Sequence, residues 1–429
     1  MGGLRLRVGG TGRPLRVMTS HQILLLLLAI TTAGFVFSAV LELINIRSVR
    51  SDIPDEVAAF YDREKYLRSI AYHREKTRFD LLTSGIGVAV SLAMLWWGGF
   101  GFVDGLLRSY VSGPNALALV YFAVLAILSD LLTLPFQWYA TFVIEEKYGF
   151  NKTTVKTFIT DKVKGYILGG LIGGLLLTAL LLLMERLGPD FWIWFGAVAG
   201  LFILFMNIFY TTWILPLFNK LTPLPEGELK SAIETFARQV SFPLDSVYVM
   251  DGSKRSSKAN AFFSGMGRRK KIVLFDTLLE KHTTEELVAV LAHEVGHYKK
   301  KHIVAGYLLS LVQIFFTLFV LSRMVFSPEL SAAMGGSSFA VHLNLLAFGI
   351  LFSPISGVTG LLMSLYSRRN EYQADAYARE NYSGPALASA LKKLSVDTLS
   401  NLYPHPVYVF FHYSHPPLLQ RLDALQGKN

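Results

Sequence analysis

The sequence predicts an all-α membrane protein with about seven transmembrane helices and a small α/β element on the cytoplasmic side. Of its 429 residues, 52% are hydrophobic and only 17% are charged, and the mean hydropathy is +0.41. Ordinary soluble domains are far more polar. A large soluble enzyme would also show amphipathic helices, whereas several stretches here stay apolar for about twenty residues without a polar face. These two observations exclude a soluble fold.

Apolar runs long enough to cross about 30 Å of hydrocarbon mark the predicted spans. There are seven: residues 21–45, 80–108, 115–140, 165–186, 191–218, 303–325 and 343–366. The first run resembles the core of a secretory signal, but from Ile23 to Leu43 it is long for such a core and lacks a convincing cleavage site. We therefore expect an uncleaved first span. The spans divide the chain into a membrane region, 1–218, and a second region, 219–429, which contains the last two spans.

The distribution of Lys and Arg orients these spans, because cytoplasmic loops carry an excess of both. Loop 46–79 carries eight and loop 141–164 carries five, whereas the loops of the other face carry only Arg108, Arg186 and Arg323. The face with the basic loops also holds the polar segment 219–302 and the C-terminal tail, and we predict that it is cytoplasmic. The host membrane is expected to be a bacterial cytoplasmic membrane, or the endoplasmic reticulum membrane in a eukaryote.

The predicted orientation places the N-terminal tail on the non-cytoplasmic face, although the tail carries four arginines: Arg5, Arg7, Arg13 and Arg16. Translation from Met18 would remove all four. Alternatively, the larger number of basic residues downstream outweighs them. The sequence leaves both explanations open.

Two features of the composition narrow the chemistry. The chain contains no cysteine, which excludes disulfides and thiolate ligands, so that a metal site must use His, Asp and Glu. The net charge of +10 does not indicate nucleic-acid binding, because basic cytoplasmic loops account for it in a membrane protein.

The polar segment 219–302 has the character of a small α/β element. Ser246–Asp251 and Lys271–Asp276 are predicted strands on either side of a loop rich in Ser, Lys and Gly. A helix is predicted to follow. Thr283 or Thr284 can cap it, and the acidic residues that come next favour its N-terminus.

This helix contains the sequence HEVGH, from His293 to His297. Histidines four residues apart project from one face of a helix and can bind the same Zn²⁺. Glu294 lies beside the open coordination position, where it can take a proton from the attacking water and deliver it to the leaving amine. A pattern this short arises by chance in on the order of one chain in a hundred, and a solvated helix with two ordinary histidines is the alternative.

A third ligand is available in EYQADAYA, which begins at Glu371. Glu371 would complete a His₂Glu site with water as the fourth ligand, and Asp375, one helical turn later, can accept a hydrogen bond from a ligand histidine. Without HEVGH these two carboxylates would indicate only a charged stripe on an exposed helix. The combination predicts one zinc ion per chain in a zincin-like element.

Several longer blocks resemble the type I CAAX prenyl protease family over residues 20–425. They are IPDEVAAFYDREKYLRSIAYHREK, FVIEEKYGFNKTT, PLFNKLTPL, DGSKRSSKANAFFSG, KIVLFDTLL, HEVGHYKKKH, SRRNEYQADAYA and SHPPLLQRL. Such blocks are far more specific than HExxH alone. The resemblance implies an integral-membrane zinc peptidase whose seven helices enclose a water-filled chamber, with the zinc site facing the chamber near its cytoplasmic end.

The resemblance also implies roles for single residues. His293, His297 and Glu371 bind zinc, and Glu294 is the catalytic acid and base. Asn260 matches the position that holds the substrate backbone against a strand edge, and His415 and Arg421 match positions near the scissile bond. From the residues alone, Asn260 would be a turn residue and His415 a loop histidine; in a zincin, His415 can donate to the oxyanion and Arg421 can stabilise a carboxylate or carbonyl oxygen.

The chain departs from the family pattern at two positions near Asn260. Lys258 stands where histidine is common, and Phe262 stands where tyrosine is common. These changes affect the edge of the expected substrate groove but none of the expected zinc ligands. Within the third span, Asp130 is an intramembrane carboxylate, for which we favour a structural role, solvated by the chamber, over a proton relay.

We therefore expect a zinc-dependent membrane endopeptidase that hydrolyses a peptide bond with activated water. By resemblance, its substrate is a prenylated CAAX protein cut after the lipidated cysteine, and its other partner is the lipid bilayer. Two alternatives remain: a general quality-control peptidase for membrane proteins, and a transporter or channel with a structural zinc. Glu294 argues against the last, because a structural site needs a closed fourth ligand and no activating carboxylate.

Overall fold

The structure, a computed structural model, describes residues 18–264 and 270–427, so the four N-terminal arginines lie outside the described residues. Sixteen α-helices are described: α1 Ser20–Ser48, α2 Arg63–Trp96, α3 Gly99–Arg108, α4 Pro114–Tyr139, α5 Val155–Leu187, α6 Phe191–Phe209, α7 Leu215–Phe218, α8 Glu228–Gln239, α9 Asp276–Leu279, α10 Thr284–Lys299, α11 His302–Met324, α12 Pro328–Ala333, α13 Val341–Ala378, α14 Gly384–Asp397, α15 Pro406–His412 and α16 Leu418–Leu425. Four strands accompany them: β1 Leu221–Pro223, β2 Leu244–Met250, β3 Ala261–Ser264 and β4 Lys270–Phe275.

All seven predicted spans fall on these helices. Among the described residues, six helical stretches are long and apolar enough to cross a membrane. One of them, Val155–Phe218, is 64 residues long and contains a turn at Gly188–Asp190 between α5 and α6, which pack against each other. Because α5 and α6 count as two spans, the six stretches contain seven spans, the number that the sequence predicts. The chain is therefore a multi-pass membrane protein.

The predicted end of the second span was wrong. The apolar run continues to Arg108, but α2 ends at Trp96 and α3 begins at Gly99. Gly98 between them has φ +67°, a left-handed conformation that glycine adopts without steric cost. Hydropathy does not distinguish this turn from a continuous helix, because both sides of it are equally apolar.

The spanning helices form a closed ring around an interior. Neighbours in contact are α1 and α2, α2 and the π-helical end of α4 (Ala140–Glu145), α4 and α5, α5 and α6, α6 and α11, α11 and α13, and α13 and α1. Only 6–17% of the residues in each span's most apolar window are buried. A solid bundle would bury the inward face of every helix, so the ring encloses an open chamber, as expected.

The intramembrane carboxylate Asp130, on α4, is paired with the neighbouring helix α5. Lys162 Nζ lies 2.7 Å from its Oδ1 and 2.9 Å from its Oδ2, and the hydroxyl of Tyr166 donates to it as well. Gln137 Nε2 donates to the same carboxylate at 3.2 Å. These contacts join α4 to α5 and fit the structural role that we favoured.

The small α/β element contains one four-stranded sheet with strand order β1-β2-β4-β3. β2 and β4 are parallel and include both predicted strands, while β1 pairs antiparallel with β2 and β3 antiparallel with β4. The sequence predicts a loop around β3, and this prediction was wrong. Its four residues, two of them Phe, carry too little periodicity to indicate a strand, so only pairing with β4 reveals it.

The loops predicted to share one face of the membrane do meet there. The amide of Ser257, ahead of β3, donates to the carbonyl of Phe150 at 3.1 Å. On the other basic loop, the Tyr61 hydroxyl donates to the carbonyl of Ser395 at 3.1 Å. Both loops therefore dock on the second region, 219–429: one on the α/β element and the other on α14.

Candidate active site

The helix α10 carries the HEVGH sequence and is capped as predicted. Thr283 accepts a hydrogen bond from the amide of Glu286 at 3.2 Å, and the Glu286 carboxylate accepts one from the amide of Thr283 at 3.0 Å. The apolar side of the helix enters the core formed by the sheet, α8 and α14. Both features hold α10 in place under the sheet.

Close packing of α10 against α13 brings the predicted ligands together. A Cβ on Gly296 would lie 3.0 Å from Ala374 Cα and 3.1 Å from Tyr377 Cβ, so a larger residue at this position of HEVGH would require α13 to shift by a few tenths of an ångström. Glu371 projects from α13 towards the two histidines. Its Oε2 lies 3.4 Å from His293 Nε2, and its Oε1 lies 3.4 Å from His297 Nε2.

The three predicted ligands fit a zinc ion. His293 Nε2 and His297 Nε2 are 3.1 Å apart, and one ligand atom from each of the three residues lies within 4.8 Å of the others. Ligand atoms placed about 2.0–2.1 Å from a tetrahedral ion are about 3.3 Å from one another. Two imidazoles and one carboxylate are also a donor set that zinc enzymes use.

Asp375 contacts the first histidine of the motif, as predicted. Its Oδ1 accepts a hydrogen bond from His293 Nδ1 at 2.8 Å, which leaves His293 Nε2 available to a metal. Arg421, from α16, donates to both oxygens of Asp375, at 2.6 and 2.8 Å. The Arg421 side chain is 12% exposed and also approaches Glu371, with Nη1 3.6 Å from Oε2.

The second histidine of the motif contacts His302, a residue for which the sequence predicts no role. His297 Nδ1 lies 3.0 Å from His302 Nδ1, and His302 Nε2 lies 2.9 Å from Gln373 Oε1. His302 is five residues after His297, a spacing that would place it on another face of a continuous helix. No local signal in the sequence indicates this contact.

Burial and close contacts shift the pKa values of several side chains in the site, among them His293 and Glu294. Burial alone would lower the pKa of His293, but hydrogen bonds to Asp375 and Glu371 outweigh it and raise this pKa to about 9. Burial raises the pKa of the Glu294 carboxyl. A protonated imidazole has no lone pair for a metal, so metal binding at His293 must release a proton.

Seven of the eight predicted site residues line one cavity of about 310 Å³, and the eighth, Asp375, lies behind it. Glu294, Asn260, His415 and Arg421 line it together with the three ligands. Asn260 is exposed and directly precedes β3, and His415 is 63% exposed, with Nε2 3.3 Å from Glu371 Oε1. The rest of the wall is apolar and consists of Ala261, Leu278, Val290, Leu387, Leu391 and Leu394.

The unusual Lys258 is anchored two residues before Asn260. Its Nζ lies 2.9 Å from Glu145 Oε2 and 4.1 Å from the centre of the Phe150 ring. Glu145 also accepts a hydrogen bond from the Tyr72 hydroxyl at 2.6 Å. This cluster connects the strand edge at the cavity to the loop after α4.

Comparisons with known proteins cover both regions of the chain. A profile described as CAAX prenyl protease N-terminal, five membrane helices, matches residues 42–220, and the profile of Peptidase family M48 matches residues 223–429. CAAX prenyl protease 1 of Saccharomyces cerevisiae is 36% identical over 394 residues, which cover 85% of this chain and 86% of that protein. The CAAX prenyl protease 1 homolog of Homo sapiens is 34% identical and covers 89% of this chain and 90% of that protein. The crystal structure of S. mikatae Ste24p matches with a TM-score of 0.90 at 34% identity and covers 94% of this chain and 99% of that chain.

Proposed function

The chain belongs to the CAAX prenyl proteases of peptidase family M48 and is a membrane metalloendopeptidase, and we propose that it uses zinc to release the last three residues of prenylated CAAX proteins. The observation that carries this proposal is the placement of three metal-binding side chains, an acidic residue and a strand edge around one cavity. A CAAX sequence is a prenylated cysteine followed by two aliphatic residues and a variable one. The apolar wall formed by Leu278, Leu387 and Leu391 suits aliphatic side chains.

In the proposed site, His293, His297 and Glu371 hold the zinc. When bound, the ion polarises the scissile carbonyl and lowers the pKa of water. Glu294, next to His293 in the cavity wall, removes a proton from the attacking water and delivers it to the leaving amine. His415 at the cavity edge donates a hydrogen bond to the oxygen that becomes negatively charged.

The peptide is proposed to bind along β3. Within the described ranges, β3 pairs with β4 on one side, and Asn260 and Ala261 face the cavity. An extended peptide can extend a sheet at such an edge through main-chain hydrogen bonds. Asn260 then holds the substrate backbone, while Arg421 acts on Asp375 as well as facing the substrate.

Two experiments on the purified full-length protein test this function. We expect Glu294→Gln to retain bound zinc and to lower kcat by about 10²–10⁴-fold; full activity in a zinc-loaded Glu294→Gln protein would refute the mechanism. We expect a farnesylated CAAX peptide to be cleaved much faster than the same peptide without the lipid. Equal rates would remove prenyl specificity and favour a general quality-control peptidase.

We also propose that the site faces the cytoplasm. The basic loops 46–79 and 141–164 support this orientation. Because the chain has no cysteine, single cysteines can report it without a background signal. We expect a membrane-impermeant thiol reagent to label Ser337→Cys in intact cells or sealed vesicles of cytoplasm-inside orientation, and to label Lys65→Cys only after permeabilisation. The reverse pattern would contradict the orientation.

A further inference from the structure

We infer that His302 and Gln373 form a relay that holds His297 in its metal-binding orientation and tautomer. The inference rests on the proposed metal site at His293, His297 and Glu371. His293 is already oriented by Asp375, whereas His297 has no carboxylate in the corresponding position among its described contacts. His302 occupies that position instead.

The contacts of His302 show that it positions a ligand and is not one itself. One of its ring nitrogens, Nδ1, lies 3.0 Å from His297 Nδ1, and the other, Nε2, lies 2.9 Å from Gln373 Oε1. Both nitrogens are therefore engaged away from the metal-facing atoms. The side chain is buried, with 7% exposure, so that water competes little for these hydrogen bonds.

The direction of the hydrogen bonds follows from the requirements of metal binding. His297 can offer a lone pair on Nε2 only if its proton is on Nδ1. His297 Nδ1 must then donate to His302 Nδ1, which must accept, so the proton of His302 is on Nε2. That proton needs an acceptor, and the atom opposite it is the carbonyl oxygen Oε1 of Gln373. The contacts of His297, His302 and Gln373 are therefore all satisfied by one arrangement, with protons on His297 Nδ1 and His302 Nε2.

The backbone explains how His302 reaches this place. Helix α10 ends at Lys299, and α11 begins with His302 itself. Between them Lys301 has φ +58°, a left-handed conformation that interrupts the helix at a small energetic cost. This turn returns His302 to the side of His297. Gln373 lies two residues after Glu371 on α13, so the relay ties the metal site to two helices that span the membrane.

The test measures zinc affinity in the purified full-length protein by competition with a chelator, and uses two substitutions that differ in whether they keep a hydrogen-bond acceptor. His302→Leu removes the acceptor, and we expect zinc affinity to fall by about 10–100-fold, as for other residues that orient metal ligands. His302→Asn can keep an oxygen near His297 Nδ1, and we expect it to recover most of this loss. Thermal unfolding of the metal-free proteins checks that both variants fold.

A second pair of variants tests the other end of the relay. Gln373→Leu removes the acceptor for His302 and is expected to weaken zinc binding by several-fold, less than His302→Leu because His302 still faces His297. Gln313→Leu is the matched control, since Gln313 is also partly buried and donates to Thr359 at 3.2 Å far from the site. We expect it to leave zinc affinity unchanged.

The outcomes separate this inference from the proposed function. If the unaltered protein binds no zinc, both are wrong. If it binds zinc but His302→Leu binds it within twofold as tightly, or if His302→Leu and His302→Asn lose affinity equally, the relay is wrong and the metal site stands. Should His302→Leu fail to fold, equal zinc affinities of Gln373→Leu and Gln313→Leu would overturn the relay in its place.

Discussion

Arg421 forms a two-point salt bridge with Asp375, with nitrogen to oxygen distances of 2.6 and 2.8 Å. The pair is almost enclosed, with side-chain exposures of 12% and 2%. It joins α16, near the C-terminus, to α13, which carries Glu371. Because Asp375 also accepts a hydrogen bond from His293, the salt bridge holds Asp375 where it orients this histidine.

We therefore predict that Arg421→Ala destabilises the protein by about 3–5 kcal/mol, because Asp375 would remain buried without its partner. Its zinc affinity should also fall, since Asp375 would no longer be held against His293. Thermal unfolding and chelator competition measure the two effects. Arg379→Ala is the control: Arg379 is exposed, lies 3.9 Å from the exposed Glu380 and donates to the carbonyl of Ala424 at 3.1 Å, so its effect should stay below about 1.5 kcal/mol. Equal effects of the two substitutions would contradict the prediction.

The buried Glu286 predicts a dependence of stability on pH. Burial would raise the pKa of its carboxyl, but hydrogen bonds from Lys393, Ser389 and the amide of Thr283 outweigh burial and lower this pKa. A carboxyl with a lowered folded-state pKa stabilises the protein above its unfolded pKa of about 4.3, and this contribution is lost as the pH falls through the folded value.

We accordingly expect Glu286→Gln to lose about 2 kcal/mol of stability near pH 7, and we expect the difference from the unaltered protein to shrink below about pH 4. Unfolding midpoints across a pH series measure this. The exposed neighbour Glu285 provides a matched control, and Glu285→Gln should cost little at any pH. If the stability difference between Glu286→Gln and the unaltered protein stayed constant with pH, the charge of Glu286 would not be the cause of the difference.

Lys258 is predicted to determine how firmly the substrate strand edge is held. Lys258→Met removes the ion pair with Glu145 and the contact with the Phe150 ring, together about 1–2 kcal/mol. Because the zinc ligands are untouched, KM for the peptide should rise by several-fold and kcat should change little. Steady-state kinetics measure KM and kcat separately. The control is Lys254→Met, at an exposed turn nearby, which should leave KM and kcat unchanged. A fall in kcat without a rise in KM for Lys258→Met would contradict the prediction that Lys258 holds the strand edge.

The pairing of Asp130 with Lys162 predicts energetic coupling inside the membrane. Asp130→Asn and Lys162→Met each leave one charge without its partner, so each should lower the free energy of unfolding. The double variant should lose about 0.5–3 kcal/mol less of this free energy than the two single losses added together. Since we assign this pair a structural role, kcat of the folded variants should match that of the unaltered protein. Lys156→Met, an exposed lysine of the same helix, controls for the lost charge. A large fall in kcat that the double variant shares would support a proton-transfer role instead.

The sequence by itself predicted the membrane class, the seven spans, the two central strands, the capped helix and five candidate site residues: His293, Glu294, His297, Glu371 and Asp375. Each of these depends on information carried by neighbouring residues: apolar runs, caps and the spacing of histidines on one helix. Longer blocks of family resemblance then linked Asn260, His415 and Arg421 to HEVGH. The cavity that all three line with the metal-binding residues agrees with that linkage.

Only the tertiary structure decided which distant side chains meet behind the site. His302 reaches His297 because the helix is interrupted at Lys301, Arg421 reaches Asp375 because α16 packs on α13, and Lys258 reaches Glu145 across 113 residues. Hydropathy also did not reveal the break at Gly98, because the residues on both sides of it are apolar. Local patterns report the preference of a segment for helix, strand or membrane, whereas these contacts depend on how separate segments pack, which no single segment encodes.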